Sequence, residues 1–262
     1  QGASSGLPKE LHARLWHGFV SWLGHNRSRR PLNGVVLVVS LVTLLNQPPS
    51  ERKQLAAILR SRLIELSREL GTRPPLYVVL SKFDLLDGFD TLFARLPKSA
   101  REDLFGLTFT FDSLRDYDAW LEELGERYDA FLERLNDKVF DALANSTDQD
   151  QRQSLHSLVR QLCGLRSMLL DFLGDVLGSD RFATPALPRG VFFSSVYQQG
   201  LLNNTFVDCA AQAYEMREAS NRMHPSGQAL VYFAQQLFQR VIYPESDLAG
   251  DNPRVIRQKK HA

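Results

Sequence analysis

The segment from Pro75 to Phe89 constrains the fold more than any other part of the chain, and it reads Pro-Leu-Tyr-Val-Val-Leu-Ser-Lys-Phe-Asp-Leu-Leu-Asp-Gly-Phe. Leu76 to Leu80 is a continuous apolar run between two prolines and a polar cluster. A strand that is apolar at every position is buried on both faces, which is typical of an interior strand of a parallel sheet. The sequence therefore predicts an α/β fold whose sheet carries a polar loop at this strand's carboxyl end, where open α/β sheets bind ligands.

The loop that follows this strand contains Lys82 and Asp84 in the spacing Lys-x-Asp. This is the spacing of the base-reading loop of the GTPase-type P-loop fold, in which the carboxylate accepts two hydrogen bonds from the guanine edge and the lysine stem packs beside the ring. Ser81 stands where GTPases usually have Asn, and this departure weakens the prediction of guanine specificity. The alternative is a solvated strand-to-helix turn in which Asp84 lies near the start of a helix.

Two further apolar segments, Val35–Leu41 and Val191–Val196, predict parallel strands on the same pattern. A helix predicted from about Glu51 to Leu70 connects the first of them to the strand at Leu76, and strand, helix, strand makes a right-handed βαβ unit. Ser194 and Ser195 come at the carboxyl end of the third strand, again where ligands of α/β proteins bind.

Helical periodicity dominates the rest of the chain. Trp120–Leu143 and Ser154–Leu177 each carry one long apolar stripe, which predicts an αα-hairpin inserted into the α/β unit. Shorter helical patterns cover Leu11–Leu23, Val207–Asn221 and Gln228–Ile242. The predicted organisation is a linker or tag remnant at 1–9, an α/β domain at 10–200 with a helical insertion at about 116–180, a helical extension at 201–250 and a basic tail at 251–262.

Charge is segregated along the chain although the net charge is only +1. Residues 1–73 hold 11 Lys/Arg against 4 Asp/Glu, and residues 112–150 hold 12 Asp/Glu against 4 Lys/Arg. Such segregation favours docking of charged partners, with solvated helix faces as the alternative. The predicted partner-binding surface is acidic and consists of Asp116, Asp118, Glu122, Glu123 and Glu126.

The chain lacks the motifs of several enzyme classes. It contains no Gly-x-x-x-x-Gly-Lys-Ser/Thr sequence, so it is not expected to hydrolyse a nucleoside triphosphate on its own. Cys163 and Cys209 have no zinc-site spacing, and no catalytic or metal-ligating residue is predicted. The longest apolar stretch, Val35–Leu45, is too short for a bilayer, which needs about 20 residues.

Five sequence blocks in order closely resemble the cytoplasmic region of the IcmF/TssM family of type VI secretion proteins. The blocks are 33–41 (Asn-Gly-Val-Val-Leu-Val-Val-Ser-Leu), 77–89 around Ser-Lys-Phe-Asp, 105–109 (Phe-Gly-Leu-Thr-Phe), 189–195 (Arg-Gly-Val-Phe-Phe-Ser-Ser) and 232–245 (Tyr-Phe-Ala-Gln-Gln-Leu-Phe-Gln-Arg-Val-Ile-Tyr-Pro-Glu). The resemblance spans roughly residues 10 to 250.

This resemblance implies an inner-membrane scaffold subunit with an NTPase-like domain on the cytoplasmic face of the bacterial inner membrane. Membrane spans outside this sequence would anchor it. The implied partners are a TssL-type membrane subunit, an outer-membrane lipoprotein and baseplate components of the TssK and TssA types. The resemblance implies no nucleic-acid partner. Many family members carry a P-loop upstream of this segment, which implies GTP or ATP with magnesium as possible ligands of a longer polypeptide.

By position, the resemblance places Ser81, Lys82 and Asp84 in the base-recognition loop and Ser194–Ser195 in the later loop that supports the base. The three predicted strands would then be the second half of a GTPase-like sheet with an exposed edge, for which the helix carrying Trp16 and Trp22 is a candidate cover. Three hypotheses remain open: a scaffold and interaction module, a nucleotide-binding switch whose phosphate site lies upstream, and an unrelated helical adaptor in which the Lys-x-Asp loop is accidental.

Overall fold

A computed structural model describes residues 9–93, 97–113, 116–178, 184–196, 201–202, 222–223 and 231–248. Its central sheet has four strands in the spatial order β1–β2–β4–β3. These strands are β1 Val35–Ser40, β2 Pro75–Ser81, β3 Gly106–Thr108 and β4 Leu187–Phe193. β1, β2 and β4 are parallel and β3 is antiparallel to β4. The predicted parallel sheet is therefore present. A fold without a parallel sheet would have favoured the hypothesis of an unrelated helical adaptor, and the structure does not have such a fold.

Helices pack around this sheet. Their bounds are α1 Lys9–Asn26, α2 Leu41–Asn46, α3 Pro49–Leu70, α4 Phe89–Phe93, α5 Lys98–Glu102, α6 Tyr117–Ala144 and α7 Gln149–Leu177. α6 and α7 form the predicted αα-hairpin between β3 and β4, and α3 ends at Gly71 in the left-handed conformation. α2 was not predicted; it starts directly after β1 because the Ser40 hydroxyl accepts a hydrogen bond from the Thr43 amide at 3.3 Å.

β2 is the centre of the fold, since every residue from Pro75 to Leu80 is buried. Leu76, Val78 and Leu80 point into the main core with α3, α6 and α7. Tyr77 and Val79 point to the opposite face and pack in a smaller core. Burying each such side chain contributes roughly 1.5–3 kcal/mol, so both faces of β2 need a cover.

The segment 231–248 supplies the cover for the second face. It begins with β8, Val231–Tyr232, which pairs antiparallel with β5, Ser195–Val196. A turn of π-helix at Leu237–Ile242 follows and places Leu237 and Val241 against Tyr77. The predicted helix over Gln228–Ile242 is therefore wrong at its start, because Val231 and Tyr232 pair as a strand.

Two other short strands, β6 Leu201–Leu202 and β7 Arg222–Met223, also pair antiparallel. The helix predicted over Val207–Asn221 lies outside the described residues.

A buried ion pair fastens the C-terminal segment to the sheet. Arg189 on β4 is 5% exposed, and its guanidinium binds both carboxylate oxygens of Glu245, with Nε–Oε2 of 3.0 Å and Nη2–Oε1 of 2.7 Å. The Tyr77 hydroxyl donates to Glu245 Oε2 at 2.9 Å. Burial, with a smaller effect of Glu245, raises the pKa of the Tyr77 hydroxyl, so it stays a neutral donor. The Arg189 guanidinium also lies 4.1 Å from the ring centroid of Phe111.

We expect Glu245→Gln to lower the free energy of unfolding by about 2–3 kcal/mol, because it leaves the buried Arg189 guanidinium without its carboxylate. The matched control is Asp129→Asn, which breaks the similar two-point pair with Arg166 at 2.6 and 2.7 Å on the exposed side of the helical hairpin. This control should cost less than about 1 kcal/mol. Urea unfolding of both variants measures the difference, and equal costs would contradict the anchoring role of Glu245.

Candidate functional site

The two predicted base-binding loops meet at the carboxyl edge of the sheet. β2 ends at Ser81, Lys82 adopts a left-handed φ of 63°, and a 3-10 turn covers Phe83–Leu85. The Ser194 amide donates to the Leu80 carbonyl at 2.9 Å, and the Phe83 amide donates to the Ser194 carbonyl at 3.3 Å. Backbone hydrogen bonds thus join the loop at 81–84 to the loop at 194–195.

The polar side chains of these loops bond to protein groups. The Asp84 carboxylate is 4% exposed and accepts a hydrogen bond from the hydroxyl of Ser195, which is 1% exposed. The Ser81 hydroxyl donates to the Val39 carbonyl at 3.3 Å and so ties β2 to β1. Lys82 is half-buried. In this conformation Asp84 is a structural acceptor, and base reading by its carboxylate stays a prediction.

Aromatic side chains fill the space around this loop pair. The Phe83 ring centroid lies 5.2 Å from that of Phe89 and 5.1 Å from that of Phe193. Tyr232 on β8 lies edge-on to Phe89 at 5.0 Å, because β8 pairs with Ser195. The C-terminal segment therefore packs directly beside Asp84, and this end of the sheet is occupied by the chain's own side chains.

The predicted acidic surface separates into two parts on α6. Asp118, Glu122 and Glu126 are exposed, and their spacing of four residues places them along one side of the helix. Asp116 is exposed as well and caps the helix by accepting a hydrogen bond from the Ala119 amide at 3.4 Å. We name Asp118, Glu122 and Glu126 the acidic ridge.

Glu123 is buried and does not belong to this ridge. Its carboxylate accepts hydrogen bonds from the Thr110 amide at 3.0 Å, from the Ser113 hydroxyl and from Arg127 Nε at 3.2 Å. Burial alone would raise the pKa of this carboxyl, but the hydrogen bonds from Ser113, Thr110 and Arg127 lower it below its ordinary value. Glu123 therefore anchors the turn at 110–113 to α6, and the predicted docking surface loses this residue.

Comparison with known proteins assigns the family. The model of the IcmF-related N-terminal domain matches residues 9–262. The chain belongs to this family. It is also 31% identical over 256 residues to the type VI secretion system component TssM1 of Pseudomonas aeruginosa strain PAO1. That alignment covers 96% of this chain but 23% of the relative, so the chain spans about a quarter of the protein it matches. No solved structure matches the chain.

This IcmF-related domain contains a structural contact that sequence reasoning missed, the pairing of Arg189 with Glu245. Both residues lie in the blocks that carried the resemblance, and Arg189 is a charged residue at the start of an apolar strand. A charged residue at such a position indicates that the folded chain supplies an oppositely charged partner, but the sequence does not show that this partner is Glu245, 56 residues away.

Within the part of the chain that the structure describes, no group of three or more His, Cys, Asp or Glu side chains could hold a metal ion. No helix in the described ranges is both long and apolar enough to span a bilayer.

We expect Glu123→Gln to lower the free energy of unfolding near pH 7 by about 1–3 kcal/mol, because a neutral amide cannot accept all the hydrogen bonds that the buried carboxylate accepts from Ser113, Thr110 and Arg127. The pKa of Glu123 is lower in the folded chain than in the unfolded chain, where it is about 4.3. Ionised Glu123 therefore stabilises the fold above that unfolded value, and the stabilisation disappears as the pH falls through the folded pKa.

Urea unfolding of the parent chain and of Glu123→Gln at several pH values between about 7 and about 3 checks this expectation. The difference in the free energy of unfolding between the parent chain and Glu123→Gln should become smaller toward the acidic end of this pH range. Glu122→Gln, the same change at the exposed neighbouring position, is the control. A gap that stays constant with pH would contradict the anchoring role of ionised Glu123.

Proposed function

We propose that this domain is a scaffold and docking module of the type VI secretion membrane complex, held at the cytoplasmic face of the bacterial inner membrane. The observation that carries the proposal is the match of residues 9–262 to the IcmF-related N-terminal domain. The 31% identity to a type VI secretion component over 96% of this chain supports it.

The chemistry of the chain favours scaffolding over catalysis. The sequence has no phosphate-binding Gly-x-x-x-x-Gly-Lys-Ser/Thr motif. The Asp84 carboxylate of the predicted base loop is 4% exposed and accepts a hydrogen bond from Ser195. α6 and α7 form a layer over the sheet, and the exposed side of α6 presents a charged surface to a partner.

The acidic ridge is the proposed docking surface. Its three carboxylates are exposed, and they follow each other at one helical turn along the first half of α6. A row of like charges steers and orients a partner of opposite charge. We therefore propose that a basic surface of a TssL-type subunit or of a TssK- or TssA-type baseplate component binds here.

Reversal of the ridge charge by Asp118→Lys, Glu122→Lys and Glu126→Lys tests this proposal. We expect at least a roughly tenfold loss of affinity for the cognate partner, because attraction becomes repulsion. The matched control reverses Glu133, Asp137 and Asp141, which are exposed farther along the same helix. Pull-down and surface plasmon resonance with each purified partner measure the effect, and unchanged binding by the ridge variant would refute this docking site.

A second candidate function is a nucleotide-binding switch. It is favoured by the parallel order of β1, β2 and β4, which brings Lys82, Asp84 and Ser195 to one edge of the sheet. β1 is the outer strand, and its Val36 and Val38 are 38% and 60% exposed. Further strands that carry a phosphate site would pair with the outer backbone groups of β1 and extend the face that carries Val36 and Val38.

Calorimetry with GTP and ATP in the presence of Mg²⁺, on a polypeptide extended at its N-terminus, tests the switch. Lys82→Asn should weaken nucleotide binding by about tenfold while the fold is kept, because Asn tolerates the left-handed backbone and Lys82 lies outside the buried Asp84–Ser195 pair. Lys98→Asn is the control, since this lysine is exposed on α5. No binding by the extended polypeptide would leave the scaffold as the function.

A further inference from the structure

Helix α1 has two apolar sides, and only one of them packs against the fold. Val20 is fully buried and Leu23 is 6% exposed, and both pack on Leu66 and Leu70 of α3. Trp16 joins this contact and donates from Nε1 to Glu65 at 2.7 Å. These residues hold α1 on α3.

The second apolar side faces away from every described element. Leu11, Leu15, Phe19 and Trp22 are 37%, 56%, 49% and 57% exposed. Their spacing of four, four and three residues aligns them along the helix, about 110° around the axis from the packed side. We name these four residues the α1 stripe. Two large aromatic rings in one exposed stripe of four residues exceed the scattered apolar residues that are normal on a surface.

The surroundings of the α1 stripe are basic. Residues 9–30 contain five Lys/Arg against one Asp/Glu. Arg14 lies on α1 itself, and Arg27 follows its end; both side chains are exposed. His12 and His25 are exposed on the same helix. The stripe thus combines apolar area with positive charge. A partner that complements both has a negatively charged surface layer and an apolar interior beneath it.

We propose that α1 binds an anionic lipid surface, with the α1 stripe in the boundary between headgroups and acyl chains and the arginines at the lipid phosphates. Amphipathic helices with Trp, Phe and Leu on one side and basic residues beside them bind membranes in this way. Aromatic rings are favoured at that depth, and each nearby basic residue adds electrostatic attraction. This inference goes beyond the proposed function, because lipid binding by α1 requires no type VI secretion partner.

Vesicle flotation of the 262-residue chain tests the proposal. Vesicles of phosphatidylcholine with about a third phosphatidylglycerol should carry the protein upward, and pure phosphatidylcholine vesicles should carry much less, since the arginines need anionic lipid. Tryptophan emission should shift to the blue on binding. Trp22 is the reporter, because Trp120 is 1% exposed and Trp16 is half-buried against α3.

The double change Leu15→Ser and Phe19→Ser should reduce partitioning onto anionic vesicles by at least about tenfold, because it removes apolar area from the stripe. Arg14→Glu with Arg27→Glu should reduce it by a similar factor on anionic vesicles only. The matched control is Ile58→Ser with Phe140→Ser, which removes apolar side chains that are 59% and 68% exposed on other helices. Circular dichroism establishes that each variant is folded.

Flotation that requires anionic lipid and is lost in the stripe and arginine variants, but kept in the control, supports the proposal. No flotation, or flotation that the stripe variant retains, overturns it. A dimer in lipid-free solution that the stripe variant abolishes assigns the stripe to a second copy and also overturns it. So does a longer polypeptide in which Trp22 emission is already blue-shifted without lipid. The acidic-ridge variant should float normally, so failure of partner docking and failure of lipid binding are separate results.

Discussion

The burial of β2 on both faces is the constraint on which the rest of the structure depends. A strand with apolar side chains on each side is stable only if two separate layers cover it. α3 and the α6–α7 hairpin form one layer, and their length supplies a large core. The second layer comes from the chain's far end, where Leu237 and Val241 reach Tyr77. A small apolar contact of this kind is reinforced by the Arg189–Glu245 pair, which fixes its position.

The same packing explains the state of the predicted base loop. The segment that covers the second face also crosses the carboxyl edge of the sheet, because β8 pairs with Ser195. Ser195 then points to Asp84, and the aromatic residues around Phe83 exclude water from the pair. Burial of a carboxylate is costly unless it is hydrogen-bonded, and the Ser195 hydroxyl supplies such a bond to Asp84. This loop geometry accordingly fits a structural role, while the charges of α6 and α1 are exposed.

Features set by local sequence were predictable, and features set by distant contacts were not. The apolar run of β2 and the stripes of α6 and α7 predicted their elements because strand and helix periodicities differ. Val231 and Tyr232 fitted a helical pattern, but pairing with β5 overrode that preference. Glu123 looked like its neighbour Glu122, because only the folded turn at 110–113 shows that it is enclosed. The sequence predicted only that the loops of Asp84 and Ser195 meet, since it does not show that the Asp84 carboxylate accepts a hydrogen bond from the Ser195 hydroxyl.

The attachment of the segment 231–248 also determines how the domain responds to mechanical load. Glu245 binds Arg189 of β4 and Tyr77 of β2, so tension applied at residue 248 passes into two adjacent central strands. The two-residue β5–β8 ladder lies beside the loop that holds Asp84. Tension applied at residue 248 first loads the exposed Asp247–Arg30 pair and then the Glu245 contacts. It next loads the apolar contact of Val241 and Leu237 with Tyr77, and it reaches the ladder beside Ser195 and Asp84 last. The contacts along this segment therefore shield the loop pair from a pull at residue 248.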